Sequence, residues 1–363
     1  MGGHFIGQYA KDASSLVRVF DMEGNSLRDV DLPGLGSTGM AILYPIALSQ
    51  AFAGAPDDPE TFYSFVSYSN PGAVYRYDVA TGESTVFRQP ELSFDPAEYV
   101  TTQVFYPSKD GTRVPMFITH RAGMELDGEA PTYLYAYGGF GIPMNPMFTV
   151  GWVAWMEMGG ILAVANIRGG GEYGEEWHQA GARHNKQNVF DDFIGAAEWL
   201  IENGYTRTGK LAVQGESNGG LLIGAVQTQR PDLFGVALPA VGVLDMLRYH
   251  TASAIARLWA YEYGLSENEE DFETLHAYSP YHNVQDGTCY PPTLVTTADH
   301  DDRVAPWHSF KFAAALQGAQ ACENPVLIRV ETRAGHGAGK PVWMQIEELA
   351  DRGAFIAAAL GMR

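Results

Sequence analysis

The chain has 363 residues, 46% hydrophobic and only 18% charged, a balance that excludes a disordered or coiled-coil polypeptide and leaves room for a sizeable core in one large domain or two. Acidic residues outnumber basic ones 43 to 23, a net charge of −20. A surface that negative repels phosphate backbones and anionic membranes, so neither nucleic acid nor a membrane is an expected partner.

The opening MGGHFIGQYAKDAS lacks the apolar centre of a signal peptide, Ile6 spoils a myristoylation match, and no apolar run is long enough to span a bilayer. Cys289 and Cys322 have no C-x-x-C spacing and are too few for a disulfide framework. They read as reduced thiols, which favours the cytoplasm.

Up to about residue 90 the sequence predicts short strands separated by turn residues: Leu16 to Phe20, Leu27 to Leu32, Thr61 to Tyr68, then Ala73 to Tyr77 and Ser84 to Arg88 around Thr81-Gly82. Hairpins at that spacing fit pieces of a sandwich, barrel or propeller. From Tyr99 a hairpin across Lys109-Asp110-Gly111 leads into alternating buried strands and amphipathic helices, the order of a mostly parallel sheet with helices on both faces. The strands are Tyr133 to Tyr137, Ile161 to Ile167, Leu211 to Val213, Val236 to Leu238, Thr293 to Thr297 and Val326 to Val330. One helix follows Asn188 as N-cap, with Val189, Phe190, Phe193, Ala196, Ala197, Leu200 and Ile201 on one stripe and Asn203-Gly204 to end it. The last helix, Val342 to Leu360, aligns Trp343, Ile346, Leu349 and Ile356 on one side.

Chemistry enters at Gly215-Glu216-Ser217-Asn218-Gly219, a G-x-S-x-G between the strand Leu211-Ala212-Val213 and the helical Leu221-Leu222-Ile223. In that context the turn raises a serine hydroxyl above the sheet, and both glycines are needed because the bend has no room for a Cβ. A serine needs a histidine to take its proton and an acid to hold that histidine, and in the α/β-hydrolase order both come later in the chain. Three aspartates, Asp299, Asp301 and Asp302, follow the strand ending at Thr297, and spacing alone does not choose among them. His336 sits in the glycine-rich Ala334-Gly335-His336-Gly337-Ala338-Gly339, whereas its competitor His308 lies inside a predicted helix from Trp307 to Leu316. Oxyanion donors are expected from the Asn218 amide and from the loop Tyr137-Gly138-Gly139-Phe140-Gly141.

Other patterns weigh less. Gly169-Gly170-Gly171-Glu172-Tyr173-Gly174 satisfies G-x-G-x-x-G, but Glu175-Glu176-Trp177-His178 follow it and no acidic residue closes a second strand about 20 positions on, so no dinucleotide is expected. His300, or His276 with His282, lacks metal-ligand spacing, so no metal is expected either. The acidic stretch Glu267 to Glu273 reads as a solvated helical face.

Taken in order, GGFG at 138–141, RGGGEYG at 168–174, GESNGGLL at 215–222, RPDLFG at 230–235, TADHDDRV at 297–304 and AGHGAGKP at 334–341 resemble the prolyl oligopeptidase family of serine peptidases. The resemblance runs through residues 99–363, and the hairpins before residue 90 resemble the closing blades of that family's β-propeller. It implies partial propeller blades over 1–90 and an α/β-hydrolase catalytic domain over 91–363. By position it implies a triad of Ser217, Asp301 and His336, with Tyr137 joining the Asn218 amide in the oxyanion hole. Trp259 would stack on a proline ring; Phe140, Ile142, Val243, Ile255, Tyr263 and Val304 would complete an apolar S1 pocket; Arg303 would bind a substrate carbonyl. No cofactor is implied. The chain begins too late to hold a whole propeller, so exposed blade edges are expected to favour self-association of a protein that is otherwise a monomer. The expected activity is cleavage of short peptides on the carboxyl side of proline. The rivals are a related oligopeptidase with a basic-residue or acyl-aminoacyl preference, and a catalytically silent scaffold.

Overall fold

Turn chemistry divides the first ninety residues into antiparallel strands in the computed structural model, which describes residues 1–39, 51–337 and 339–362. β1 (Phe5–Lys11), β2 (Ser14–Phe20) and β3 (Ser26–Asp29) form one sheet, and β4 (Ser37–Thr38), β5 (Glu60–Val66), β6 (Ala73–Asp78) and β7 (Ser84–Arg88) form another. Asp12 and Ala13 both take positive φ, 49° and 63°, between the paired Lys11 and Ser14, which matches the twist of a two-residue hairpin. Asp78 Oδ1 accepts the Ala80 and Thr81 amides and so fixes the β6–β7 turn. Strand alternation sends Val17, Val19, Tyr63, Phe65 and Tyr77 into a small core, where Phe52 stacks on Tyr63 at 4.7 Å.

Beyond residue 98 lie β8 (Tyr99–Pro107), β9 (Arg113–Arg121), β10 (Thr132–Tyr135), β11 (Ile161–Ala165), β12 (Leu211–Glu216), β13 (Val236–Ala240), β14 (Thr293–Ala298) and β15 (Val326–Glu331). They make one eight-stranded sheet in the order β15-β14-β13-β12-β10-β11-β9-β8, parallel from β15 to β11, with β9 and β8 antiparallel. The expected mostly parallel α/β-hydrolase sheet, preceded by propeller-like antiparallel hairpins, is therefore present. β11 and β13 are buried along their whole length, because crossover helices cover both faces. Helices Gln187–Glu202 and Asn218–Gln229 bury Phe190, Phe193, Leu200, Leu222 and Val226 in one cluster, while Val150–Glu157 and Val342–Leu360 supply Trp152, Met156, Ile356 and Leu360 to another. Among the described residues, no helix is long and apolar enough to cross a membrane.

The two parts meet along a polar and aromatic seam. Tyr68 packs its ring 5.7 Å from Phe117 and 5.8 Å from Trp152, Ser37 Oγ donates to the Pro146 carbonyl at 2.8 Å, and Tyr173 donates to Asp12 Oδ1 at 2.8 Å. Within this seam Tyr68 Oη, Asn166 Oδ1 and Glu172 Oε2 are buried with no hydrogen-bond partner among the described residues. Burial pushes the Glu172 carboxyl up to about 7.

Three expectations are corrected. Cys289 and Cys322 form a disulfide, with Cα atoms 5.2 Å apart. Thr288 bridges Gln320 and the Tyr290 amide donates to Gln320 Oε1, so two loops far apart in sequence are laid side by side and no motif spacing is required. The ground for a cytoplasmic location falls with the free thiols. Asn188 is not an N-cap: the 3₁₀ turn Arg183–Asn185 feeds straight into the helix through helical Lys186, and the Asn188 side-chain Nδ2 donates to the Ala180 carbonyl instead. In the last helix Trp343 and Ile346 are 54% and 60% exposed, because Met344, Ile356 and Leu360 are the residues that face the sheet.

Candidate active site

Ser217 follows β12 directly and stands as the N-cap of the helix Asn218–Gln229 with φ 59° and ψ −114°. For a residue with a Cβ that backbone costs about 1–3 kcal/mol. Close backbone approach forces its neighbours to be glycine: a Cβ on Gly215 would lie 2.3 Å from the Gly219 carbonyl oxygen, and one on Gly219 would lie 2.9 Å from that of Ala136. The Ser217 amide donates to the Ala240 carbonyl on β13 at 2.9 Å, so the Asn218 amide is the first in the opening turn of the helix, whose donors face no intrahelical carbonyl and favour an anion.

Asp301 lies on the loop after β14 and His336 on the loop after β15. Asp301 Oδ1 accepts the Arg303 and Val304 amides at 3.0 and 2.8 Å, which leaves Oδ2 for His336 Nδ1 at 2.6 Å. The other two aspartates do not reach His336: Asp299 engages His300 and the Arg333 amide, and Asp302 is exposed. His308 is buried, accepts the Asp245 amide at 3.0 Å, and is pushed down to about 3 by burial, a packing histidine. His336 Nε2 is buried and has no hydrogen-bond partner among the described residues, so imidazole and serine hydroxyl are not bonded to each other. A cavity of about 410 Å³ lined by Glu216, Thr296, Arg329, Lys340 and Arg352 adjoins the imidazole.

β10 ends at Tyr135, two residues earlier than expected, which releases Tyr137 into the loop. Burial pushes the Tyr137 phenol up to about 12, opposed by its hydrogen bond with Ser217 and the nearby Arg303 charge. Tyr137 therefore stays a protonated donor at neutral pH, beside the serine. The Asn218 side chain ties the arrangement together, donating to the Tyr137 carbonyl at 2.6 Å and accepting from the Tyr263 hydroxyl at 2.9 Å.

The expected pocket residues gather only in part. Phe140 meets Trp259 and Tyr263 edge-on, with ring centroids at 6.5 and 5.6 Å, and both Phe140 and Trp259 pack on a cluster that holds Val243, Tyr263 and Val304. Ile142 does not belong to that cluster, and Ile255 is 53% exposed on the short helix Ala254–Leu258.

Residues that sequence reasoning passed over support this loop. Glu262, fully buried, accepts the Phe140 amide at 3.0 Å, pairs with Lys186 Nζ at 2.8 Å and contacts His178 Nε2 at 2.8 Å, while Lys186 also donates to the Gly138 carbonyl at 3.1 Å. The signal was a lone glutamate among the aromatics of Leu258-Trp259-Ala260-Tyr261-Glu262-Tyr263. The G-x-G-x-x-G segment also belongs here: Gly169 accepts the Gly141 amide, and a Cβ on Gly171 would lie 2.2 Å from the Gly141 carbonyl oxygen. Its glycines admit a second backbone rather than a phosphate.

A family model described as the prolyl oligopeptidase family matches residues 146–363, and one described as the prolyl oligopeptidase N-terminal β-propeller domain matches residues 1–90. The chain is 50% identical over 363 residues to a prolyl endopeptidase of Elizabethkingia miricola, which covers 100% of this chain and 50% of that protein. It is 42% identical over 366 residues to a prolyl endopeptidase of Dictyostelium discoideum, covering 99% of this chain and 46% of that one. Among solved structures, a prolyl endopeptidase superposes with a TM-score of 0.90 at 45% identity, over 100% of this chain and 52% of that one. Prolyl oligopeptidase B of Galerina marginata, bound to a 35-residue hydrolysis and macrocyclization substrate, superposes with a TM-score of 0.89 at 35% identity, over 100% and 50%. The chain spans about half the length of the curated relatives it matches.

Proposed function

The chain belongs to the prolyl oligopeptidase family, and from that premise we propose that it hydrolyses short peptides on the carboxyl side of proline through an acyl-enzyme on Ser217. The observation that carries the reading is the state of His336: Nδ1 is anchored on Asp301 at 2.6 Å and Nε2 is buried with no partner among the described residues. An imidazole so held has one nitrogen left for a proton in transit, and nucleophile–base contacts are often open before substrate binds.

In this mechanism Ser217 Oγ attacks the scissile carbonyl and its proton passes to His336 Nε2. Asp301 holds the imidazole in one tautomer and stabilises the imidazolium. The Asn218 amide and the Tyr137 hydroxyl receive the oxyanion, worth roughly 10²–10³ in rate per donor. The imidazolium then protonates the leaving amine, and water repeats the sequence to release the acid. Trp259, Phe140 and Tyr263 offer flat apolar faces to a pyrrolidine ring, Val243 and Val304 extend the apolar lining, Ile142 and Ile255 stand outside that cluster, and Arg303 takes a substrate carbonyl.

Hydrolysis of a proline-anilide reporter is expected from the native chain and not from Ser217→Ala; equal rates reject the assignment. Proline, arginine and acetyl-alanine reporters run side by side separate this preference from the other S1 types. The open serine–histidine contact also favours a second reading, a peptide-binding scaffold without turnover. Covalent capture of Ser217 by a fluorophosphonate distinguishes them, since a serine without a base does not react. Bare apolar residues on the N-terminal sheets, Phe5 and Phe87 among them, also favour self-association, which sedimentation measures.

A further inference from the structure

The loop 137–141 carries both a proposed oxyanion donor, Tyr137, and a proposed pocket wall, Phe140, yet it has no regular secondary structure to hold it. Phe140 takes φ 59°, a conformation a side chain resists. Two groups brace it. The Glu262 carboxylate accepts the Phe140 amide at 3.0 Å, and the Lys186 ammonium donates to the Gly138 carbonyl at 3.1 Å, so the peptide groups on either side of Gly139 are fixed by the two ends of one ion pair. His178 Nε2 lies 2.8 Å from Glu262 Oε2, the same oxygen that accepts the Phe140 amide.

The same brace reaches the other half of the site. Tyr263, next to Glu262 in sequence, donates to Asn218 Oδ1, and Asn218 Nδ2 donates to the Tyr137 carbonyl. Lys186 Nζ lies 5.3 Å from the centre of the Tyr263 ring. The contacts close a ring: Tyr137, Asn218, Tyr263, Glu262, Phe140 and back along the loop. A fully buried ion pair is often no more stabilising than apolar residues of the same shape, so stability alone does not account for charges at this place. Geometry does.

We infer that Glu262, Lys186 and His178 are positioning residues that set the S1 wall at Phe140 and the aim of the Tyr137 hydroxyl as one unit, so that fit of the residue before the scissile bond and stabilisation of the oxyanion are coupled. The inference rests on the peptidase reading above and deepens it.

The test uses the full chain, the variant Glu262→Gln, and the double variant Lys186→Met/Glu262→Gln, which leaves no buried charge unpaired if the single variant does not fold. Two serine-directed probes are compared: a plain alkyl fluorophosphonate and a peptidyl phosphonate with proline next to phosphorus. The readout is the ratio of their second-order labelling rates at Ser217. A tenfold or greater fall in that ratio, with Phe140 leaving positive φ in the variant's crystal structure, is expected. A purely structural role lowers both rates in proportion, so an unchanged ratio with Phe140 still at positive φ overturns the inference. If the native chain reacts with neither probe, the peptidase reading is what fails, and the Phe140 backbone in the variant then decides the inference by itself.

Discussion

The N-terminal sheets and the eight-stranded sheet use the same backbone ladder but differ in what covers them. β5 alternates buried and open positions, and the far side of its sheet leaves Phe87 55% exposed against Phe62. β11 and β13 expose nothing, because each parallel step requires a crossover that returns over a face. Those crossovers also bring together the residues of the proposed site: Tyr137 follows β10, Ser217 follows β12, Asp301 follows β14 and His336 follows β15, all at the carboxyl ends of parallel strands. Hairpins return the chain locally and pair strands that are neighbours in sequence. In this molecule, coverage and convergence have one cause.

The sharpest way to break that comparison is at the convergence point. Asp301→Asn keeps the shape but favours the wrong imidazole tautomer, and hydrolysis of a proline-anilide is expected to fall by about 10³–10⁴-fold; an unaltered rate removes Asp301 from the site. Next is the covered core, where buried Arg168 binds Asp192, itself without exposure, at 2.6 Å. Arg168→Met strands that carboxylate, and a urea titration should show a loss of about 3–5 kcal/mol.

The seam comes third. Glu172 is raised by burial from its ordinary 4.5 to about 7. Between those values the folded chain holds a proton that the unfolded chain has released. The neutral form's stability is intact below pH 4.5 and is lost as pH rises through 7, a total of about 3 kcal/mol. Glu172→Gln should match the native chain near pH 4 and exceed its stability by about that amount above pH 7, read by denaturant melts across the range. The smallest effect belongs to the bare face: Phe87→Lys should change stability by no more than about 0.5 kcal/mol while weakening self-association in sedimentation. A large loss of stability there would mean that the N-terminal sheets are covered after all.

Much of the fold was legible because it follows local rules. Apolar runs bounded by turns located the parallel strands, and Gly215 and Gly219 announced a bend that tolerates no Cβ. Elsewhere the sequence carried only part of the information. Three adjacent aspartates are equivalent in composition, and backbone amides at Arg303 and Val304 make Asp301 the one oriented toward His336. Glu262 lies 122 residues from Phe140 and 76 from Lys186, so their association is a product of tertiary packing that no spacing encodes. Asn188 looked like a cap because its side chain suits one, but the preceding turn already supplies helical backbone. Trp343 misled because helical periodicity identifies a stripe without saying whether anything is there to receive it.

The sulfur pair Cys289 and Cys322 turns the protein into a recorder of its surroundings. Closing a loop across 33 positions restricts the denatured chain by about 3–4 kcal/mol in the entropic picture, so cells that keep glutathione reduced and cells that do not should yield populations melting at different temperatures. Alkylation before reduction tags both sulfurs or neither, and that count reports the redox poise the polypeptide last experienced.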